Sequence, residues 1–399
     1  MLKRILLGGI SLAALATSPV LAADIQVKIG VLNDRSGVYA DLSGEGSVVA
    51  ARMAVEDFKA AEKGLAVEII SADHQNKPDI GSNIARQWYE VDKVNAIFDV
   101  PTSSVALAVA EISNQMGGLL IDSGAGATDL TGAQCKPTTI HWTYDTAALA
   151  NGTGKAMTEA GGKKWFFLTA DYAFGHSLED QTARVVKATG GEVVGTVNVP
   201  FPATDFSSFL LQAQASGANV IGLANAGGDT VNAIKQASEF GITQAGQKLA
   251  ALLMFVTDVH ALGPQTSQGL SLTEAFYWDQ NDATREWSTR FEAIHGSKPT
   301  MVQAGVYSSA MHYLQAVEAV GNTDNLAVAA KMKETPFDDP LFGKGYIRGD
   351  GRAIHDMFLF EVKKPEDSTG EWDLYNQIAT ISGEDAFLPM LDECDFTKK

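Results

Sequence analysis

Short apolar runs alternate with longer amphipathic runs along this chain, and the alternation occurs twice. "VKIGVL" (27–32), "AVEIIS" (66–71), "VNAIFD" (94–99) and "GLLID" (118–122) have the length and composition of strands. The stretches 44–62, 78–90 and 103–115 between them have helical spacing, with Val48, Val55 and Phe58 on one face of the first. A second series follows. Strands are expected at 164–170, 191–199, 219–225 and 248–255, and helices at 175–188, 206–217 and 228–240. Short apolar strands separated by helices predict parallel sheets covered on both faces. Two series in tandem predict an α/β chain with two similar lobes. Residues 282–334 read as mainly helical, and strand-like pieces near 357–362 and 372–379 finish the chain. The length agrees, because one hydrophobic core rarely extends past about 250–300 residues.

The first residues have the form of a secretory signal: Lys3 and Arg4, an apolar run from Ile5 to Ala16, then small residues up to Ala22. That run is short for a bilayer span, and no cysteine lies near the expected cut. The mature protein is therefore expected to be exported and soluble, and not a lipoprotein. The formal charge is −18, and loss of residues 1–22 removes two positive charges and no negative one, leaving −20. Such a balance argues against nucleic acid or an anionic membrane surface as partner. The two cysteines, Cys135 and Cys394, are expected to form a disulfide in an oxidising compartment.

In open parallel sheets, ligands sit beyond the carboxyl ends of the strands. Here those ends carry Asn33 to Arg35, Asp99 to Ser104, Asp122 to Gly126, Ala170 to Phe174, Asn225 to Gly228 and Phe255 to Asp258. In "DVPTSS" (99–104) three hydroxyls stand where a helix begins. They fit helix capping, and equally a seat for an anionic group at the positive end of a helix. "SGAGATDLTG" (123–132) follows a strand and lets a small ligand approach the backbone, but lacks the lysine of a phosphate loop. "GEGSVVA" (44–50) stands too far from its strand for a dinucleotide fingerprint. The seven histidines are scattered without metal-ligand spacing, and no nucleophile motif follows a strand. An enzyme is not expected, and no cofactor or metal is expected. Tyr39, Tyr172, Phe174, Phe255, Tyr277, Trp278 and Tyr307 fall in or near loop ends, where they fill a core or grip an apolar ligand body.

The segments "VKIGVLNDRSGVYADLSGEG", "VDKVNAIFDVPTSSVALAVAEI", "LTADYAFGHSLED", "TDFSSFLLQAQASGANVIGLANAGGD" and "AIKQASEFGI" resemble the periplasmic leucine/isoleucine/valine-binding-protein family, in order and over essentially the whole mature chain. These are substrate-binding receptors of ABC importers with the type I periplasmic binding fold. The resemblance implies two Rossmann-like lobes with parallel sheets, joined by three crossings and hinged on a ligand. It divides the chain into residues 1–22 as signal peptide, 24–143 plus 278–355 as lobe one, and 144–277 plus 356–399 as lobe two. It implies a monomer whose partners are a small molecule and the importer's membrane subunits.

Carried over by position, the resemblance puts a carboxylate seat at Thr102 and Ser103 and at Ser123, Gly124, Ala125 and Gly126. Lobe-two loops contribute Tyr172 and Phe174, Asn225 and Ala226, and Met254 and Phe255. Two positions depart from the family. Amino-acid-binding members place an acid near Met254 to hold the ligand's ammonium, whereas "LLMFVTD" is apolar there and its nearest acid is Asp258. Arg35 stands where many relatives are apolar, and would offer a second anchor for a carboxylate. An unpaired buried ammonium costs several kcal/mol. The expected ligand is therefore a benzoate- or cinnamate-like carboxylate, with a branched-chain or other neutral amino acid, or a role as sensory module, as the alternatives.

Overall fold

The computed structural model describes residues 25–397. The expected signal segment lies outside them. Among the described residues no helix is long and apolar enough to cross a membrane.

The first lobe opens with strand β1 (Ile25–Asn33), helix α1 (Gly44–Asp57), β2 (Leu65–Asp73), α2 (Pro78–Gln87), β3 (Ala96–Phe98), α3 (Ser103–Met116), β4 (Leu119–Asp122) and β5 (Thr139–His141). Its five strands form a parallel sheet in the order β2-β1-β3-β4-β5. Helix α1 ends earlier than expected: Lys59 and Gly64 turn left-handed around a 3-10 turn and hand the chain to β2. The short α4 (Thr146–Leu149) and α5 (Lys155–Glu159) then lead away from this sheet.

The second lobe repeats the plan with β6 (Lys164–Ala170), α6 (Ala173–Ala188), β7 (Glu192–Val199), α7 (Ser207–Ala215), β8 (Val220–Ala224), α8 (Gly228–Glu239) and β9 (Lys248–Ala251). Its parallel sheet runs β7-β6-β8-β9. Helices α9 (Val256–Leu262) and α10 (Pro264–Ser267) lead to β10 (Ser271–Glu274). Helices α11 (Asp282–His295), α12 (Met301–Val320) and α13 (Asn325–Glu334) return to lobe one, where α11 and α12 pack on α1. A small meander, β11 (Phe337–Asp339), β12 (Gly343–Ile347) and β13 (Ala353–Ile354), extends the first sheet through a His141–Arg352 bridge. Strands β14 (Met357–Val362) and β15 (Tyr375–Ile381) add to β10 as an antiparallel three-stranded sheet, and α14 (Gly383–Ala386) follows.

One difference from the expected elements matters for the cleft. The run 248–255 stops being a strand at Ala251, and Leu252 to Phe255 remain buried without pairing. Cys135 and Cys394 do form a disulfide. It ties the end of the chain, expected with lobe two, to the β4–β5 connection of lobe one.

Both sheets point their carboxyl ends at each other. One apolar cluster joins Val31, Phe98 and Ile121 of lobe one to Phe167, Ala250 and Leu252 of lobe two through Trp142, Tyr144 and Leu149. Buried Arg352 donates to the carbonyls of Ala353 and Tyr144 at 3.0 and 2.9 Å, tying two of the crossings together.

Candidate functional site

The loop tips of the two lobes meet. Gly228 N–H donates to the Val38 carbonyl across the cleft at 3.1 Å. The hydroxyls of Tyr39 and Tyr172 lie 2.5 Å apart. Tyr172 stacks on Phe201 with ring centroids 4.2 Å apart, and Tyr39 lies 5.4 Å from the same ring. The Ser177 hydroxyl of α6 is hydrogen-bonded to that of Thr146 at 2.7 Å and to that of Thr128 at 3.3 Å. The structure is thus a closed form. Only a narrow gap, about 10 Å³, remains between the lobes, lined by Tyr39, Leu42, Pro101, Gly124, Tyr144, Tyr172, Phe174, Ala226 and Leu253. None of these side chains carries a charge, and four are aromatic.

The hydroxyls before α3 neither cap it nor stand free. Thr102 occupies the N-cap position, yet makes no side-chain cap bond. It donates instead to Asn76 Oδ1. Asn76 in turn donates to Asp34 at 2.6 Å. The same carboxylate accepts the amides of Gly37 at 2.7 Å and Tyr39 at 2.9 Å, and so fixes the loop that presents Tyr39. Ser103 Oγ accepts the amides of Gly126 at 3.3 Å and Ala127 at 3.2 Å. The hydroxyls read as capping groups or as a seat therefore hold neighbouring loops in place.

The backbone amides expected to grip a ligand are also engaged. Asp122 Oδ1 accepts Gly124 N–H at 2.9 Å and Ala125 N–H at 3.1 Å. Burial pushes the Asp122 carboxyl up to about 7, and neighbouring Asp99 adds to the rise. Asp99 is likewise raised by burial, although Ser43 and Asn33 donate to it at 2.7 and 3.2 Å. An internal carboxyl group thus occupies the amide nest of 124–125.

The remaining expected positions divide. Gly124, Tyr172, Phe174 and Ala226 line the cleft. Gly126 backs against the rings of Phe174 and Tyr144, so close that a Cβ would stand 2.8 and 3.0 Å from them. Arg35 pairs with Glu45 and does not line the cleft. Ser123 turns toward Gly305 of α12, and Ala125 packs in the lobe-one core. Asn225 is buried and accepts the Thr230 hydroxyl at 2.7 Å. Met254 faces the lobe-two core instead of the cleft. Phe255 lies edge-on to Tyr144 with centroids 6.5 Å apart. Asp258, the nearest acid to that region, accepts the Phe255 amide at 2.9 Å and caps α9.

Tyr277, Trp278 and Tyr307 play no part here. Tyr277 and Trp278 donate to the Trp372 carbonyl at 2.9 and 2.8 Å, and Tyr307 donates to Asp57 at 2.8 Å. Tyr144 is a lining residue that the sequence pattern did not single out. It sits in a crossing between lobes, where no periodicity marks it, and its hydroxyl donates to the Gly124 carbonyl at 2.5 Å.

The chain matches the model of the periplasmic binding protein family over residues 26–370. A crystallised periplasmic binding protein of Burkholderia mallei is 51% identical, covering 94% of this chain and 99% of that one, with a TM-score of 0.91. A branched chain amino acid ABC transporter periplasmic ligand-binding protein of Burkholderia xenovorans is 40% identical, covering 93% and 100%, with a TM-score of 0.82. A Leu/Ile/Val-binding protein homolog 8 of Brucella suis is 29% identical over 60% of this chain, and the match spans 62% of that relative's length. Two parallel α/β lobes facing across a closed aromatic cleft, with this match along the sequence, make the chain a member of the periplasmic binding protein family.

Proposed function

We propose that this protein is the solute receptor of an ABC importer and that it captures a small organic acid with an aromatic or apolar body, of the benzoate or cinnamate kind. It works in the periplasm as a monomer that delivers its ligand to the importer's membrane subunits, and performs no reaction. The observation that carries the ligand class is the cleft wall: four aromatic rings and no acid. An α-amino acid brings an ammonium group that would need an anionic partner. Acids around the cleft hold protein groups. Asp258 holds the Phe255 amide, Asp229 holds the Ala203 amide at 3.2 Å, and Asp122 holds Gly124 and Ala125. Asp99 and Asp122 each keep one buried oxygen with no hydrogen-bond partner among the described residues, but burial raises both carboxyls and so works against either serving as an anion for an ammonium.

The ligand's carboxylate has a place at the start of α3. There the amides of Ser103 and Ser104 precede the first intrahelical bonds, which begin at Val105 and Ala106. Thr102, Ser103 and the 124–126 backbone border that place. Tyr172, Phe174 and Phe255 cover the ring. The same fold holds benzoate in a solute-binding protein of Rhodopseudomonas palustris that is 22% identical. The name of the Burkholderia xenovorans relative favours the second reading, a branched-chain amino acid.

The two are separated by a thermal-shift screen followed by titration calorimetry of ligand-stripped protein. Benzoate, 4-hydroxybenzoate and cinnamate are expected to raise the unfolding temperature, and leucine and valine to leave it unchanged. Stabilisation by leucine or valine with none by the aromatic acids overturns the proposed ligand class.

A further inference from the structure

The chain crosses between lobes a fourth time. After β15, in the lobe-two sheet, it does not end there. At α14 it passes the crossings: Asn151 donates to the Asp385 and Ala386 carbonyls at 3.2 and 2.8 Å, and Phe387 lies 4.6 Å under the Arg352 guanidinium. It then reaches lobe one. Arg348 donates to the Leu388 carbonyl at 2.5 Å, Leu391 lies against Gly132, and Cys394 is bonded to Cys135. Lys333 of α13 stands over the Phe396 ring at 5.1 Å.

We propose that residues 382–397 form a covalent strap between the lobes, and that the Cys135–Cys394 disulfide limits how far the cleft opens. The three ordinary crossings run through the hinge and bend with it. The strap leaves lobe two beside the third crossing, where Gly383 N–H donates to Asp356 at 3.2 Å, and its far end is bonded to lobe one. It is thus a fourth, covalently closed connection that must bend wherever the other three do and narrows the range they allow. Its anchor is well chosen for this. Cys135 lies in the β4–β5 connection, the same connection that carries Gly124 to Gly126 at the cleft wall. That connection also reaches lobe two through Thr128 and Ser177. Reduction would leave the tail held by hydrogen bonds and ring contacts, which can detach and re-form, in place of a bond that cannot. The strap therefore acts on the range of opening whatever the ligand is, and its test needs no ligand.

The test is energy transfer between two dyes on the ligand-free full-length protein. The dyes are attached by non-cysteine chemistry at Leu211 on α7 and Leu326 on α13, both more than half exposed. Transfer is compared in the oxidised protein, in the protein reduced under native conditions, and in the C135S/C394S variant. The expected result is a shift to longer, more widely spread inter-dye distances when the bond is absent. Near-UV circular dichroism of reduced protein shows whether each lobe keeps its packing, and the variant supplies a second route should reduction disturb it. Unchanged transfer with both thiols shown free by mass spectrometry, or a shift to shorter distances, overturns the strap. Neither outcome bears on which solute binds.

Discussion

Val100, Gly124 and Ala125 all aim their amide hydrogens at Oδ1 of Asp122, while its Oδ2 is buried with no partner among the described residues. The group is useful as an acceptor and costly as a charge. Unfolded, its carboxyl titrates near 3.9; folded, it is pushed up to about 7. Below about pH 4 both states hold the proton and the group favours neither. From there to about 7 the unfolded chain gives up its proton while the native state keeps it, so native stability falls as pH rises. Asp122→Asn keeps an oxygen for the amides and removes the charge. It is expected to unfold near the wild-type temperature at pH 4 and to be the more stable protein at pH 8, by on the order of 1–3 kcal/mol. Thermal unfolding of both proteins from pH 4 to 8 checks this, and a gap that stays constant with pH would rule it out. The sequence placed Asp122 and the Thr102–Ser103 hydroxyls at strand ends, but not their partners. Asn76 and the Gly126 and Ala127 amides come 23 to 26 residues away in the chain, and only the fold decides which of them a hydroxyl meets.

At the scale of elements, strands surrounded by helices on both faces announce themselves, and β6 and β14 begin and end where the pattern of apolar residues says. The misses share a cause. Leu252 to Phe255 are as apolar as the strand before them because they are equally buried, Leu253 against the space between lobes and Met254 in the lobe-two core, so composition cannot separate strand from wall. The meander β11–β13 takes its order from an edge of the first sheet instead of from its own alternation. The cleft itself is made where element ends abut, and Gly126 shows how tightly. It follows β4 in lobe one, while the ring nearest its missing Cβ belongs to Phe174, at the start of α6 in lobe two. Gly126→Ala would put a methyl group 2.8 Å from that ring and 3.0 Å from Tyr144. Each lobe can fold around it, but the closed form must give way. A wedge costing about 1–3 kcal/mol only in the closed state would weaken ligand affinity by roughly tenfold to a hundredfold. Calorimetry with whichever acid stabilises the wild type should show that loss while the ligand-free unfolding temperature stays near wild type. Equal affinity would mean that the ligand does not bind the closed form seen here.

Over the whole molecule, the two sheets are separate but their interiors are not. The cluster that runs from Val31 and Ile121 through Trp142 and Tyr144 to Phe167 and Leu252 gives both lobes a common apolar interior at the hinge. A lobe that unfolded by itself would expose its share of that interior and leave the other lobe's share uncovered. Such a penalty makes one cooperative transition the expected behaviour, even at a length where domains often melt separately. The Cys135–Cys394 bond adds to this, since its ends are 259 residues apart and it restricts the unfolded chain as one large loop. Removing it should cost about 2–5 kcal/mol, drawn from the same single transition and not from one lobe. The check is urea unfolding of the oxidised protein and of C135S/C394S, followed by tryptophan fluorescence and by far-UV circular dichroism. Trp88, Trp142 and Trp287 report on lobe one and its border, Trp165 and Trp372 on lobe two, and Trp278 on the boundary between them, so separate melting would split the two signals. Coincident curves that move together to lower urea in the variant are the expected result. Curves that part company in the variant, with one arm unmoved, would mean that the hinge cluster is too weak to couple the lobes and that the disulfide alone had joined them.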